Sequence, residues 1–227
     1  MRIALVFPEL LGTYGDGGNA VVLAQRLERR GLAAEVMNVQ PGEAFPDADL
    51  YLLGGGEDGP QRLAADLLIA STLAERVADG AGVFAVCAGL QLLGTSFAVE
   101  GDATYAGLAL VPAMTVRGVA RSVGDAVVRV DGRLVVGFEN HGGVTRLDPG
   151  LAAFGEVVVG HGNDAQSDGF RAGRVWATYL HGPVLAQNPW LADALLASVL
   201  GHELEPLASV ADELYAARCA QLTGTGA

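Results

Sequence analysis

Apolar and polar positions change period several times along the chain, and each block predicts an element. The opening MRIALVF is almost continuously apolar, as a strand covered on both faces would be, and GNAVVLAQRLERRG then carries apolar residues at helical spacing. Asn19 reads as the N-cap of that helix and Gly31 as its stop. AAEVMNV and DLYLLGGG read as two further strands, separated by a loop around Pro41 and Pro46. Over 61–79, Leu63, Leu67, Ala70, Ala74 and Val77 predict one helix, ended by Gly80 and Gly82 before the strand VFAV. A second helical pattern, with Leu90, Leu93 and Phe97 at spacings of three and four, follows at once. This order of elements implies an α/β fold: a mainly parallel sheet flanked by helices on both faces.

After about Gly101 the pattern shortens. AMTVRG, DAVVRV, RLVVGFEN, EVVVGHG and RVWATYL are Val-rich runs broken by Gly and Asp, which predict β-hairpins appended to the sheet or completing it. Helices are expected over 189–200 and 206–222, the last with Leu207, Val210, Leu214 and Ala217 on one face that packs against the domain or meets a partner. The expected division is one domain over 1–203, then a C-terminal helix and short flexible tail over 204–227.

Composition narrows the chemistry. With 227 residues and 51% apolar positions, the chain can bury one substantial core. Its two cysteines, Cys87 and Cys219, lie far apart, and no basic stretch with a cleavage site opens the sequence, so reduced thiols in the cytoplasm are expected. No apolar run has the length of a bilayer span. The formal net charge is −12, which argues against nucleic acid or anionic lipid as partner. All 14 basic residues are arginine. Without lysine, neither a Walker-type phosphate loop nor a lysine Schiff base can form, so any ATP-dependent step needs another architecture or another chain.

In VFAVCAGLQLLG, Cys87 stands where a strand turns into a helix. Ligands of open α/β sheets bind beyond the carboxyl ends of the strands, and a helix N-terminus there offers free N–H groups and a positive dipole end. Ala88 and Gly89 lack bulk, so the turn resembles the elbow that exposes a nucleophile. The plainer reading is a small buried cysteine. A thiolate that transfers acyl groups needs a base, and there are four histidines. His202 lies near a helix end and His161 at a hairpin tip. His181 ends the run VWATYL and belongs at a carboxyl strand end, like Cys87; His141, after a shorter strand, is expected to shape the pocket. Gln91, one helical turn past Cys87, either lines that pocket or faces polar surface. Asp16 and Asn19 are expected to shape the first loop and cap its helix.

VCAGLQLLG, followed much later by YLHGP, resembles the class I glutamine amidotransferases, flavodoxin-like α/β domains whose cysteine attacks the side-chain amide of glutamine. With TYGDGGN and GFENHGG, the set is similar to the cobyric-acid-type, CobB/CobQ-like branch, and within it to the GatD glutaminase subunits of lipid II isoglutaminyl synthases. The resemblance implies Cys87 as nucleophile, His181 as general base and then acid, and Gly55 and Ala88 as oxyanion-hole donors. It implies that Arg121, in RSVGD, holds the α-carboxylate of L-glutamine, a task that suits a planar guanidinium. No cofactor or metal is implied in this chain; ATP and Mg belong to a Mur-ligase-like MurT partner in peptidoglycan synthesis.

One departure stands out. Many class I enzymes carry an acid two positions after the histidine, where this chain has Pro183. Either another acid of this chain turns toward His181, or a partner supplies it; the resemblance implies an aspartate from MurT and hence a slow or silent isolated chain. Three rivals stay open: a glutaminase serving another acceptor such as a cobyrinate-like acid, a redox-active elbow cysteine that binds no glutamine, and a non-catalytic interaction module.

Overall fold

The computed structural model describes residues 1–99, 103–207 and 209–224. The first half alternates β1 (Arg2–Val6), α1 (Gly18–Glu28), β2 (Glu35–Val39), β3 (Leu50–Leu53), α2 (Asp58–Ile69), α3 (Leu73–Ala78), β4 (Gly82–Val86) and α4 (Ala88–Leu93). Then come β5 (Ser96–Ala98), β6 (Thr104–Ala106), β7 (Ala113–Val130), β8 (Arg133–Leu147), β9 (Gly155–Val159), β10 (Ser167–Asp168), β11 (Phe170–Ala172) and β12 (Val175–Thr178). The chain closes with α5 (Val184–Gln187), α6 (Pro189–Leu200) and α7 (Val210–Thr223).

Two sheets share these strands. The first has the order β11-β12-β4-β3-β1-β2, parallel throughout except for the pair β11 and β12. Every residue of β3, β4 and β12 is buried, which explains their uninterrupted apolar runs: helices cover both faces. Each fully buried Leu, Val or Phe there contributes about 1.5–3 kcal/mol. The second sheet, in the order β10-β9-β7-β5-β6 with β8 on β7, is antiparallel but for the pair β5 and β7. The hairpins expected in the second half thus build a sheet of their own, and only β12 with its neighbour β11 extends the parallel one. AMTVRG and DAVVRV are one strand, β7, whose register against β8 shifts between Arg117 and Ser122.

Three expectations need correction. Asn19 does not cap α1, which starts at Gly18; its side-chain oxygen accepts the Leu185 N–H at 3.0 Å and ties the helix to α5. The single helix over 61–79 is two. Ser71 breaks it, because its hydroxyl donates to Leu68 O at 2.7 Å and accepts from Leu73 N at 3.2 Å, a local alternative to the helical ladder. The last helix begins at Val210 behind a Ser209–Asp212 capping box, and its apolar face is not packed: Val210 and Leu214 are 70% and 66% exposed. A flanking face docks, through Tyr215 Oη donating to Leu134 O at 2.7 Å and the Arg218–Asp125 ion pair. Residues 225–227, the end of the expected tail, lie outside the described residues. Among those described, no helix is long and apolar enough to cross a membrane.

Candidate active site

The parallel sheet brings four strand ends side by side. Cys87 follows β4 directly, with φ of 51° and ψ of −105°, a conformation non-glycine residues seldom adopt and one that marks a strained elbow. Its N–H donates to Thr178 O of the adjacent β12 at 2.9 Å. Gly89 permits this turn to close against β3: its N–H donates to Gly54 O at 3.1 Å, and a Cβ there would lie 2.7 Å from Leu53 O. The thiol itself is 6% exposed and faces Asn140 O, 4.0 Å from Sγ.

His181 lies three residues past β12, anchored by backbone hydrogen bonds with Phe138 in both directions. Its Nδ1 is 2.9 Å from Asp16 Oδ2, and both side chains are buried. Asp16 sits in the loop after β1, 165 positions away, so the sheet order and not the sequence makes this pair. Burial works against the imidazolium, but the hydrogen bond to Asp16, with the neighbouring Cys87 and the Asp16 charge, outweighs it and pushes the His181 pKa up to about 10. Nε2 makes no hydrogen bond of normal length among the described residues. The arrangement can hold a protonated imidazole beside a thiolate, with the aspartate fixing the ring.

Asp16 answers the question that Pro183 posed. The position against Nδ1 is occupied by an acid of this chain, so the expectation that a partner must supply that aspartate is corrected, and with it the reason for a silent isolated chain. Gly55 is corrected too. Its N–H donates to the same Asp16 Oδ2 at 2.8 Å, so it is not free to meet an oxyanion, and its missing side chain makes room for His181 Cε1, 2.5 Å from where a Cβ would stand.

A cavity of about 530 Å³ opens above the elbow, lined among others by Cys87, Ala88, Gln91, Arg121, Asn140 and His141. Ala88 is the first residue of α4, whose leading N–H groups have no partner within the helix. Gln91 lines the pocket and is held in a buried chain: it accepts from Gln61 Nε2 at 2.8 Å and donates to Tyr179 Oη at 3.3 Å. Arg121 reaches the cavity because the register shift in β7 turns it there; its Nε donates to Asn140 Oδ1 at 2.6 Å and its Nη2 to Tyr14 Oη at 3.3 Å.

The remaining histidines fall where the sequence put them. His141 is buried, stacked on Tyr179 with ring centroids 3.8 Å apart, and its nitrogens lie 2.9 Å from Gly143 O and 3.4 Å from Glu139 Oε2. It shapes the wall. His161 and His202 are exposed and do not line the cavity. Tyr14, Gln61 and Asn140 carry contacts here that sequence reasoning missed. For Asp16 a signal existed, since TYGDGGN is a matched motif and an acid was wanted. Among the described residues, no group of three or more His, Cys, Asp or Glu side chains gathers as a metal site.

Comparison with known proteins adds four findings. Residues 2–189 match the model of the CobB/CobQ-like glutamine amidotransferase domain. The chain is 35% identical over 193 residues to the lipid II isoglutaminyl synthase (glutamine-hydrolyzing) subunit GatD of Staphylococcus aureus (strain N315), covering 82% of this chain and 79% of that one. It is 31% identical over 209 residues to the subunit of the same name in Streptococcus pneumoniae (strain ATCC BAA-255 / R6), covering 88% and 80%. A solved glutamine amidotransferase structure superposes with a TM-score of 0.60 at 20% identity, over 86% of this chain and 98% of that chain, a likeness of fold.

Proposed function

The chain belongs to the CobB/CobQ-like glutamine amidotransferases, and from that premise we propose that it is the glutaminase subunit of a lipid II isoglutaminyl synthase. The observation that carries the reading is the meeting of Cys87, His181 and Asp16 at adjacent strand ends, under a cavity with Arg121 on its wall.

In the proposed cycle Arg121 binds the α-carboxylate of L-glutamine and the Cys87 thiolate attacks the amide carbon. The C–N bond breaks as His181 gives its proton to the departing ammonia. Water, deprotonated by His181, then attacks the γ-glutamyl thioester and releases glutamate and the thiol. Asp16 is a positioning residue that keeps the imidazole oriented and charged. The Ala88 N–H, at the start of α4, is the donor assigned to the oxyanion.

This half-reaction needs no cofactor. The ammonia goes to a Mur-ligase-like MurT subunit, the other half of a cytoplasmic heterodimer, which spends ATP with Mg to activate the D-glutamate α-carboxylate of the lipid II stem peptide and amidates it. A chain without lysine has no phosphate loop of its own, in keeping with that division.

The test is intact mass after exposure to an electrophilic glutamine analogue, with Cys87→Ser as control and iodoacetamide as a reagent that needs no glutamine pocket. The expected result is one label on Cys87 that free glutamine prevents and that Arg121→Ala greatly slows. Alkylation by iodoacetamide without any labelling by the analogue, in the chain alone and with its partner subunit, would overturn the glutaminase reading and favour a redox-active cysteine.

A further inference from the structure

The cavity wall carries charges of both signs, Arg117 and Arg121 against Glu57 and Asp58, of which the cycle above uses only Arg121. Glu57 holds the N-cap position of α2, with an extended backbone, yet its side chain makes no capping hydrogen bond. Its carboxylate accepts a hydrogen bond from the Tyr14 hydroxyl at 3.0 Å, and that hydroxyl accepts one from Arg121 Nη2 at 3.3 Å. One phenol therefore holds a carboxylate and a guanidinium on the same wall, while its ring lies against His181 with centroids 4.5 Å apart. Burial and the Glu57 carboxylate both raise the Tyr14 pKa, which keeps the hydroxyl a donor.

We propose that Glu57, held in place by Tyr14, is the counter-charge for the α-ammonium group of the glutamine substrate, so that the site selects a zwitterionic α-amino acid over other primary amides. The inference rests on the glutaminase reading. The two charges of an α-amino acid sit on neighbouring carbons, so their receptors must be close together, and two groups tethered to one hydroxyl meet that condition. Arg121 and the thiol are also neighbours: Asn140 O is 3.3 Å from Arg121 Nη2 and 4.0 Å from Cys87 Sγ, so the charged wall and the nucleophile are close enough for one amino acid to meet both. Asp58 lines the same cavity from the first turn of α2 and is the natural control.

The experiment measures kcat/KM for amide hydrolysis by the full chain, with its partner subunit present. Its substrates are L-glutamine and glutaramate, the analogue without the α-amine. Wild type should prefer glutamine by roughly 10- to 100-fold, the worth of one hydrogen bond to a charged group. Glu57→Gln should remove most of that preference, by slowing glutamine while leaving glutaramate within about twofold, and Tyr14→Phe should lower it part of the way. Asp58→Asn should keep it. A Glu57→Gln protein that retains the wild-type ratio, or that slows both amides equally, overturns the inference alone. A wild type that hydrolyses neither amide overturns the glutaminase reading and this inference with it.

Discussion

The two sheets do different work with different materials. The parallel sheet is buried on both faces, its central strands buried at every position, and its carboxyl ends present the groups that would break bonds: Cys87 after β4, His181 after β12 and Asp16 after β1. The second sheet alternates buried and exposed residues along β7 and β8, shifts register between Arg117 and Ser122, and leaves Val119 fully exposed at the rim of the cavity. It contributes Arg121, Asn140 and His141, the wall that would hold the substrate. Rigid packing fixes a nucleophile and its base to within fractions of an ångström, whereas an irregular, half-solvated strand can present charged side chains to a ligand and a surface to a partner.

Breaking the parallel-sheet machinery should have the largest effect. Cys87→Ser is expected to lower glutamine turnover by about 10⁴-fold or more, since among the described residues no other thiol lines the cavity, with an unchanged circular dichroism spectrum. Asp16→Asn should cost about 10²- to 10⁴-fold in kcat and little in KM, because an amide cannot stabilise the imidazolium.

The same Asp16 substitution sharpens the comparison through pH. The folded-state pKa of His181 is raised from the ordinary 6.5 to about 10, so its ion pair stabilises the fold fully below about pH 6.5 and the contribution is lost as pH rises through 10. Denaturant titrations from pH 6 to 10.5 should show stability falling in the wild type and a flatter profile in Asp16→Asn.

Stability should separate the two sheets directly. Leu52→Ala, in a strand buried on both faces, is expected to cost about 2–5 kcal/mol by chemical denaturation. Val123→Ala, on the exposed side of β7, should stay within about 0.5 kcal/mol. Comparably small is the effect of ending the chain after residue 203. No residue of α7 is buried, so the remaining domain should keep its thermal midpoint within a few degrees. Equal losses from Leu52→Ala and Val123→Ala would erase the contrast drawn here.

Much of the first sheet was legible in the sequence because its signals are local. A continuous apolar run followed by helical spacing predicts a strand and a helix whatever else the chain does, and the elbow at Cys87 needs only the dozen residues VFAVCAGLQLLG. The break at Ser71 was not legible, because it depends on one hydroxyl bonding both Leu68 O and Leu73 N in place of the helical ladder. Nor was the bareness of α7: its Val210 and Leu214 have core-like spacing, but the neighbouring Tyr215 and Arg218 found partners on β8 and β7.

By itself, then, the sequence determined the alternation of strands and helices, the elbow cysteine, the candidate histidine and the exclusion of lysine chemistry, since each follows from residue type and short-range spacing. Only the tertiary structure decided which acid faces His181, that Gly55 spends its N–H on that acid, and that Tyr14 links Glu57 to Arg121. Those contacts join positions 39 to 165 residues apart. They exist because the strand order β12-β4-β3-β1 sets the loops after those strands next to one another and β7 of the second sheet brings Arg121 to them, an arrangement that the periodicity of each strand leaves open.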